Sequence, residues 1–385
     1  MDDKLISISC TGDLELDEPG PMEQYFEGSR DLFLDHDFVI AHVEIPHTTR
    51  ERAQLSCLDV QALPANPEHL NVLKDLGIQV ATFATNHTYD CGPNGVIDTI
   101  DKLNSLGIQA VGAGENIYQA KKPAIIEKKG IKIGVLAYNC AGPKMGWAAS
   151  YKPGTNYIEI FTSYTPAQDM PGCPAKVHTF IMPEVIDRMK EEIAALKSQV
   201  DIAIVCYHKG NGGNTPKLSD YERPLCHAAI DAGADIVFAQ HHHLLKGIEL
   251  YKDKPIYHGL GNFVCVTYHL TLGYEDTPEK EAYLIQRAIE GRGNGHYEVD
   301  FYPWPPISRL TIFPVVLADK QGVVESRFIP CYIEKSGNVV PRTRENGGQE
   351  ILDFVIKQSE GAKLGTCFEW SEDGTFVSIH RKVAE

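Results

Sequence analysis

The stretch SDYERPLCHAAIDAGADIVFAQHHH, residues 219–243, contains the building unit of the whole chain. A helical pattern over 219–234 leads into the apolar run DIVFAQ (235–240), and that run ends on His241, His242 and His243. A helix feeding a strand whose far end turns polar is the repeating unit of an α/β sheet. In such sheets the loops at the carboxyl ends of successive strands converge on the crevice that binds ligands.

Working outward, the unit recurs. PEVIDRMKEEIAALKSQV (183–200) is an amphipathic helix leading into the strand DIAIVCYH (201–208). Toward the N-terminus the strands LISISC (5–10), DFVIAHVEI (37–45), IQVATFA (78–84) and IQAVGAG (108–114) alternate with the helices PEHLNVLKDLG (67–77) and GPNGVIDTIDKLNSLG (92–107). Leu70, Leu73 and Leu76, like Val96, Ile100 and Leu103, recur at helical spacing. Each helix stops at a glycine, Gly77 or Gly107, the residue suited to a left-handed C′ position. PAIIEKKGIKIGVLAYN (123–139) reads as a hairpin turning at Lys129-Gly130, which adds antiparallel sheet to the βα units.

Residues 140–182, rich in Gly, Pro, Tyr and Thr, read as an insertion near the mouth of a site. Beyond Asn262 come a polar stretch (271–300), strand-like segments at 308–317 and 323–333, a helix near 348–359 and a strand pair near 366–379. The division expected is a main domain over 1–270 and a C-terminal extension over 271–385 packing on it. No internal repeat is evident.

Polar residues stand at the ends of the predicted strands: Asp13, Glu44, Asn86-His87, His208 and His241-His242-His243. Singly, each has a plainer role. Gly12-Asp13 fits a turn, Glu44 before Pro46 a solvated loop acid, Asn86 a helix cap and His208 a satisfied core histidine. Five coincidences at equivalent topological positions outweigh those roles. A mixed carboxylate, amide and imidazole set suits Mn, Fe or Zn, and two ions sharing a carboxylate use this number of ligands better than one. Three imidazoles at a strand end put the first and third, His241 and His243, on one side, where they can share a metal. Hydrolysis by a metal-activated water is the chemistry expected of such a centre. No GxxxxGK[ST] loop or GxSxG elbow is present, and GAGEN (112–116) lacks dinucleotide-fingerprint spacing. GLGNF (259–263) reads as a tight backbone turn beside the site.

Composition bounds the partners. The 385 residues, 43% hydrophobic and 23% charged, are those of a globular chain long enough for one large or two ordinary domains. With 36 Lys and Arg against 52 Asp and Glu, the net charge is −16, which excludes the basic footprint of nucleic-acid binding. No run of about 18 uncharged apolar residues is found, so no membrane segment is expected. The N-terminal MDDKLISISCTGD lacks a signal-peptide core, and ten scattered cysteines show no CxxC pair. Both point to a cytoplasmic protein with reduced thiols.

With these residues assembled, the chain resembles the poly-gamma-glutamate capsule-synthesis (CapA) family, a branch of the calcineurin-like metallophosphatase superfamily. The matching blocks are Gly12-Asp13, Val43-Glu44 followed by Pro46, TNHTYDCGPNGVIDTIDKLNSLGIQAVGAG (85–114), His208-Lys209-Gly210 and DAGADIVFAQHHHLLKGIELYKDKPIYHGLGNF (231–263), within about residues 5–376. The resemblance implies a four-layer α/β/β/α sandwich, two mixed sheets flanked by helices. It implies that Asp13, Glu44 and His243 serve one divalent metal and that Glu44, Asn86, His208 and His241 serve a second. It casts His87 as general acid or transition-state donor, with Asp90 as its orienting partner. The chain departs from the family where it has Glu15 in place of a histidine two residues after Asp13, Leu16-Asp17-Glu18 where an arginine is common, and Lys209 after His208. The expected activity is metal-dependent hydrolysis of a phosphoester or an amide-like, gamma-glutamyl bond in a small-molecule substrate. The alternative is a non-catalytic accessory of bacterial capsule synthesis that binds polymer or a synthase partner.

Overall fold

The computed structural model describes residues 5–17, 20–50, 64–267 and 304–382. The first half contains β1 (Ile6–Leu16), α1 (Arg30–Leu34), β2 (Phe38–Val43), α2 (Asn71–Asp75), β3 (Val80–Thr82), α3 (Gly92–Ser105), β4 (Gln109–Val111), β5 (Ala113–Gly114) and α4 (Ile117–Ala120). Then follow β6 (Ala124–Lys128), β7 (Ile131–Asn139), β8 (Gly154–Thr155), β9 (Phe161–Pro166), β10 (Ala175–Phe180), α5 (Pro183–Lys197), β11 (Ile202–His208), α6 (Glu222–Asp231) and β12 (Ile236–Gln240). The remainder comprises β13 (Ile248–Tyr251), β14 (Lys254–Tyr257), β15 (Asn262–Val266), β16 (Leu310–Asp319), β17 (Gly322–Ile333), β18 (Val339–Pro341), α7 (Gln349–Gly361), β19 (Thr366–Trp370) and β20 (Val377–Arg381).

Two mixed sheets result. The larger runs β19-β20-β17-β16-β1-β2-β3-β4, with β15 also paired to β1 and β18 to β17. Its β1, β2, β3 and β4 are parallel neighbours, whereas β16 joins β1 antiparallel. The smaller sheet runs β13-β14-β12-β11-β7-β6, parallel at its centre and antiparallel at both edges.

Alternation along each strand divides the apolar residues into layers. Ile8, Ile40 and Val80 of the larger sheet meet Ile133, Ile204 and Phe238 of the smaller one in a central core. Val39, Ala41 and Ala81 face outward onto Leu73 of α2 and Val96 and Leu103 of α3. Val205 and Val237 face outward from the smaller sheet onto Ile193 and Leu196 of α5 and Leu225 of α6. The order helix, sheet, sheet, helix is the four-layer sandwich expected. Both faces of the central strands are buried, which is why they read as near-continuous apolar runs. Helix α7 joins the central core through Ile351, Phe354 and Val355.

The local punctuation behaves as its chemistry demands. Gly77 and Gly107 end their helices at φ 72° and 80°, and Lys129 (φ 49°) with Gly130 (φ 73°) makes the left-handed two-residue turn of the β6–β7 hairpin. The segment read as one helix over 67–77 is a 3-10 turn (Pro67–Leu70) followed by the single-turn α2. Residues 140–182 contain β8 and the β9–β10 hairpin, and 248–257 holds a further hairpin turning at Lys252-Asp253. The polar stretch 271–300 lies outside the described residues. No helix among the described residues is long and apolar enough to cross a membrane.

Phe238 is fully buried between the sheets. Phe238→Ala should therefore cost about 3–5 kcal/mol of unfolding free energy, read from chemical denaturation; an unchanged midpoint would place the residue outside a packed core.

Candidate metal centre

The side chains singled out from sequence come from the strands' carboxyl-terminal parts or the loops that follow them: β1 continues past the expected end at Cys10 to Leu16, so Asp13 lies within it, and His208 lies within β11. Gly12 and Asp13 lie at an irregularity of β1, where Asp13 pairs with His42 of β2 on one side and with Asn262 of β15 on the other. A Cβ on Gly12 would lie 2.2 Å from the Gly261 carbonyl oxygen, so only glycine permits that approach, and the Asp13 N–H donates to the same oxygen at 2.9 Å. Glu44 follows β2, its N–H donating to Leu14 O at 3.1 Å. Asn86 follows β3 in a turn held by the Thr85 and Thr88 hydroxyls. His208 is the last residue of β11.

The histidine run departs from the strand-alternation reading. β12 ends at Gln240, and His241 (φ 96°) and His243 (φ 52°) adopt left-handed backbone conformations that are rare outside glycine. Strain of this kind persists only where the surroundings over-determine it. The two rings, with centroids 6.4 Å apart, belong to different clusters rather than sharing one.

Three groups of ligand-type atoms converge, each within 4.8 Å of one another: Asp13, Glu44 and His243; Glu44, His208 and His241; and Asp13, His42 and His208. Such clusters can hold a metal ion, and Glu44 belongs to two of them. His243 places Nδ1 3.5 Å from Asp13 Oδ2 and Nε2 3.6 Å from Glu44 Oε1. His208 Nε2 lies 3.9 Å from Glu44 Oε1 and 2.5 Å from Asn86 Oδ1. His87 Nδ1 is 2.7 Å from Asp90 Oδ2.

Electrostatics sharpens the picture. Asp13, Glu15 and Glu44 are all buried. Burial first, then the charge of Glu15, raises Asp13 well above the carboxylate range; burial, Asp13 and Glu15 do the same to Glu44; and burial lifts Glu15 to about 7. Asp13 Oδ2 has no hydrogen-bond partner, nor does His241 Nδ1, and the Glu44 carboxyl meets the Glu15 carboxyl rather than an N–H or hydroxyl donor. Orphaned buried carboxylate oxygens facing neutral imidazoles form a donor set that fits a divalent cation. Burial, followed by neighbouring imidazoles, pushes His208 and His241 well below the usual histidine value, so both rings offer lone pairs. His87 differs: burial opposes its charge, but Asp90, Glu15 and Asp13 outweigh it and raise the imidazole above its ordinary value.

Sequence reasoning passed over several residues around the centre. His42, in β2 two positions before Glu44, was detectable from strand periodicity. Asn262 Oδ1 accepts from the His243 Nδ1–H over 2.8 Å. Behind the site, Lys209 is fully buried and donates to Glu222 Oε2 at 2.6 Å, while His242 Nε2 meets the same oxygen at 3.1 Å. One carboxylate thereby ties the loop after His208 to the loop carrying His241 and His243. The chain leaving β7 props the opposite side: Cys140 N–H donates to His208 O at 2.8 Å, Asn139 Nδ2 to Thr85 O at 2.8 Å, and Gly142 lies against Asn86.

The family profile described as "Bacterial capsule synthesis protein PGA_cap" matches residues 7–267. A Bacillus subtilis protein described as "PGA biosynthesis protein CapA" is 29% identical over 307 residues, 77% of this chain and 71% of that protein. A Mycobacterium tuberculosis relative described as a "probable polyglutamine synthesis accessory protein" is 32% identical over 204 residues, 52% of this chain and 48% of its own length. The Bacillus anthracis "capsule biosynthesis protein CapA" is 26% identical over 69% of this chain and 57% of its own. The chain thus spans about half the length of the latter two relatives.

Removing the shared carboxylate leaves Lys209 as a buried charge without its partner, so Glu222→Gln should cost about 3–5 kcal/mol in denaturant unfolding at neutral pH; a loss below 1 kcal/mol would show that Lys209 finds another partner. Glu249 behind it is desolvated, yet hydrogen bonds from His258 and Arg223 hold it down to about 2. A depressed carboxylate contributes stability above its unfolded value, about 4.5, and loses it as pH falls toward 2. Acid unfolding should therefore steepen across that window and flatten there in Glu249→Gln.

Proposed function

The chain belongs to the bacterial capsule synthesis protein family, and from that premise we propose that it is a divalent-metal-dependent hydrolase acting on a phosphoester or an amide-like, gamma-glutamyl bond. The observation that carries this reading is Glu44. It is fully buried, belongs to two clusters of ligand-type atoms, and meets another buried carboxyl, Glu15, where an N–H or hydroxyl donor would otherwise stand. A carboxylate bridging two ions has those properties. In this proposal Asp13 and His243 complete one position, and Asn86, His208 and His241 the other. Divalent ions of the Mn, Fe or Zn class would lower the pKa of a water toward neutrality and polarise the phosphoryl or acyl oxygen under attack.

The chain's own groups do the rest. His87, protonated and hydrogen-bonded through Nδ1 to Asp90, presents its other ring nitrogen as a proton donor to a leaving group. Asp90 fixes that ring, and Asn139 and Gly142 hold the loop that carries it. The names of the relatives refer to PGA and polyglutamine synthesis, which makes gamma-glutamyl compounds the first substrates to test. A chain of net charge −16 repels a long polyanion, so short substrates are favoured over polymer.

A second reading rests on the word accessory in the description of the Mycobacterium tuberculosis relative: the centre would bind a component of polymer synthesis without turning it over. Assay of the purified chain, supplemented with Mn, Fe or Zn, against phosphoesters and gamma-glutamyl peptides separates the two. Turnover should fall at least about 100-fold in Glu44→Gln and in His241→Ala, both remaining folded by circular dichroism. Wild-type activity in both variants would remove this centre from the chemistry, and bound metal without turnover would favour the accessory role.

A further inference from the structure

We propose that the β9–β10 hairpin is a dimerisation arm, its uncharged face meeting the same face of a second copy of this chain across a two-fold axis. The inference does not draw on the metal reading. The hairpin stands outside both large sheets, as a two-stranded sheet of its own. Phe161, Tyr164, Met170, Val177 and Phe180 along it are all exposed, Tyr164 at 68% and Val177 at 50%. A lone two-stranded hairpin is marginal in water, and its open edges and faces gain stability from a further strand or a packed surface.

The register divides the arm into two faces, because directly paired residues of antiparallel strands stand side by side. Tyr164 pairs with Val177, Thr162 with Thr179 and Pro166 with Ala175, so one face is free of charge and rich in the aromatic and β-branched types that suit cross-strand packing. The other face carries Phe161 beside Phe180, Ser163 beside His178 and Thr165 beside Lys176. That face leans on the body, where His178 Nδ1 lies 3.5 Å from Asp220 Oδ2. The Phe161 and Phe180 rings stack at its base, with centroids 5.7 Å apart. Tyr164 and Val177, on the side away from Asp220, are left open.

Charge selects the occupant. Residues 161–180 contain one acid, Asp169, and one base, Lys176, and so carry no net charge with histidine neutral, on a chain of −16. Two such chains repel each other over most of their surface, and an uncharged face is where they can approach. A two-fold axis makes one face complementary to itself, setting Tyr164 and Val177 against the same residues of the second copy. Engaged along its length, the segment 161–180 reaches the lower end of the roughly 20–30 residues that each partner gives to a stable interface. An anionic bilayer fits worse, since it recruits clusters of basic residues and the arm offers Lys176 alone.

Sedimentation equilibrium of the full chain should show a species of twice the monomer mass at about 10 µM that dissociates on dilution. Tyr164→Lys and Val177→Lys place like charges against each other across the axis, and each should weaken the association at least about 10-fold with unchanged far-UV circular dichroism. Val324→Lys, at a comparably exposed apolar position on β17, should leave the dimer intact. Should a lysine variant misfold, Tyr164→Ser removes the ring without adding charge and carries the same test. A chain that is monomeric at about 100 µM overturns the proposal, whether or not it binds vesicles of anionic phospholipid. A dimer that either arm variant leaves intact, or that Val324→Lys dissociates as readily, overturns it as well.

Discussion

Asp13, Glu15 and Glu44 stand together beneath the surface, and their mutual repulsion is the constraint around which the rest of the structure is arranged. Carboxylates this close cannot all ionise in a desolvated space unless positive charge joins them. His87 supplies one positive neighbour, and its raised imidazole is the reciprocal sign of the same field. Asp13 Oδ2 remains unbonded, Glu44 meets no N–H or hydroxyl donor, and neutral imidazoles from two further strand ends point to the same place. A fold does not hold such an arrangement for stability alone, because apolar residues would fill the volume at lower cost.

What holds it is the scaffold on either side. The apolar layers fix β1, β2 and β3 of one sheet against β11 and β12 of the other, so their carboxyl ends open into a shared crevice. The left-handed residues His241 and His243 are restrained by His242, which is anchored on Glu222 together with Lys209. Charge neutralised inside the protein at Lys209 and Glu222 therefore positions ligand-type groups a few residues away. His42, 3.0 Å from His208 Nδ1 and 2.7 Å from Thr82 Oγ1, braces His208 in turn.

Much of this was legible in the sequence, for identifiable reasons. The strands buried on both faces announced themselves as apolar runs, and Gly77, Gly107 and Lys129-Gly130 marked turns that only a positive φ can make. Asp13, Glu44, Asn86, His208, His241 and His243 were legible because topology forces strand ends together, and the structure does bring them to one region. What escaped was three-dimensional in origin. The local shape of the histidine run depends on a hydrogen bond between His242 and Glu222, a carboxylate ion-paired with Lys209 and lying on another element, so strand alternation misjudged it. His42 lies inside the apolar run of β2, with its two-residue spacing from Glu44 as the one signal, and its partner Thr82 gives none until the two strands are placed in register.

The most direct measurement is anomalous diffraction from crystals grown with Mn²⁺ or Zn²⁺. This account predicts two ion peaks that share the Glu44 carboxylate, one beside Asp13 and His243 and the other beside Asn86, His208 and His241. Peaks remote from Glu44, or none in a chain whose fold is otherwise as described, would contradict it.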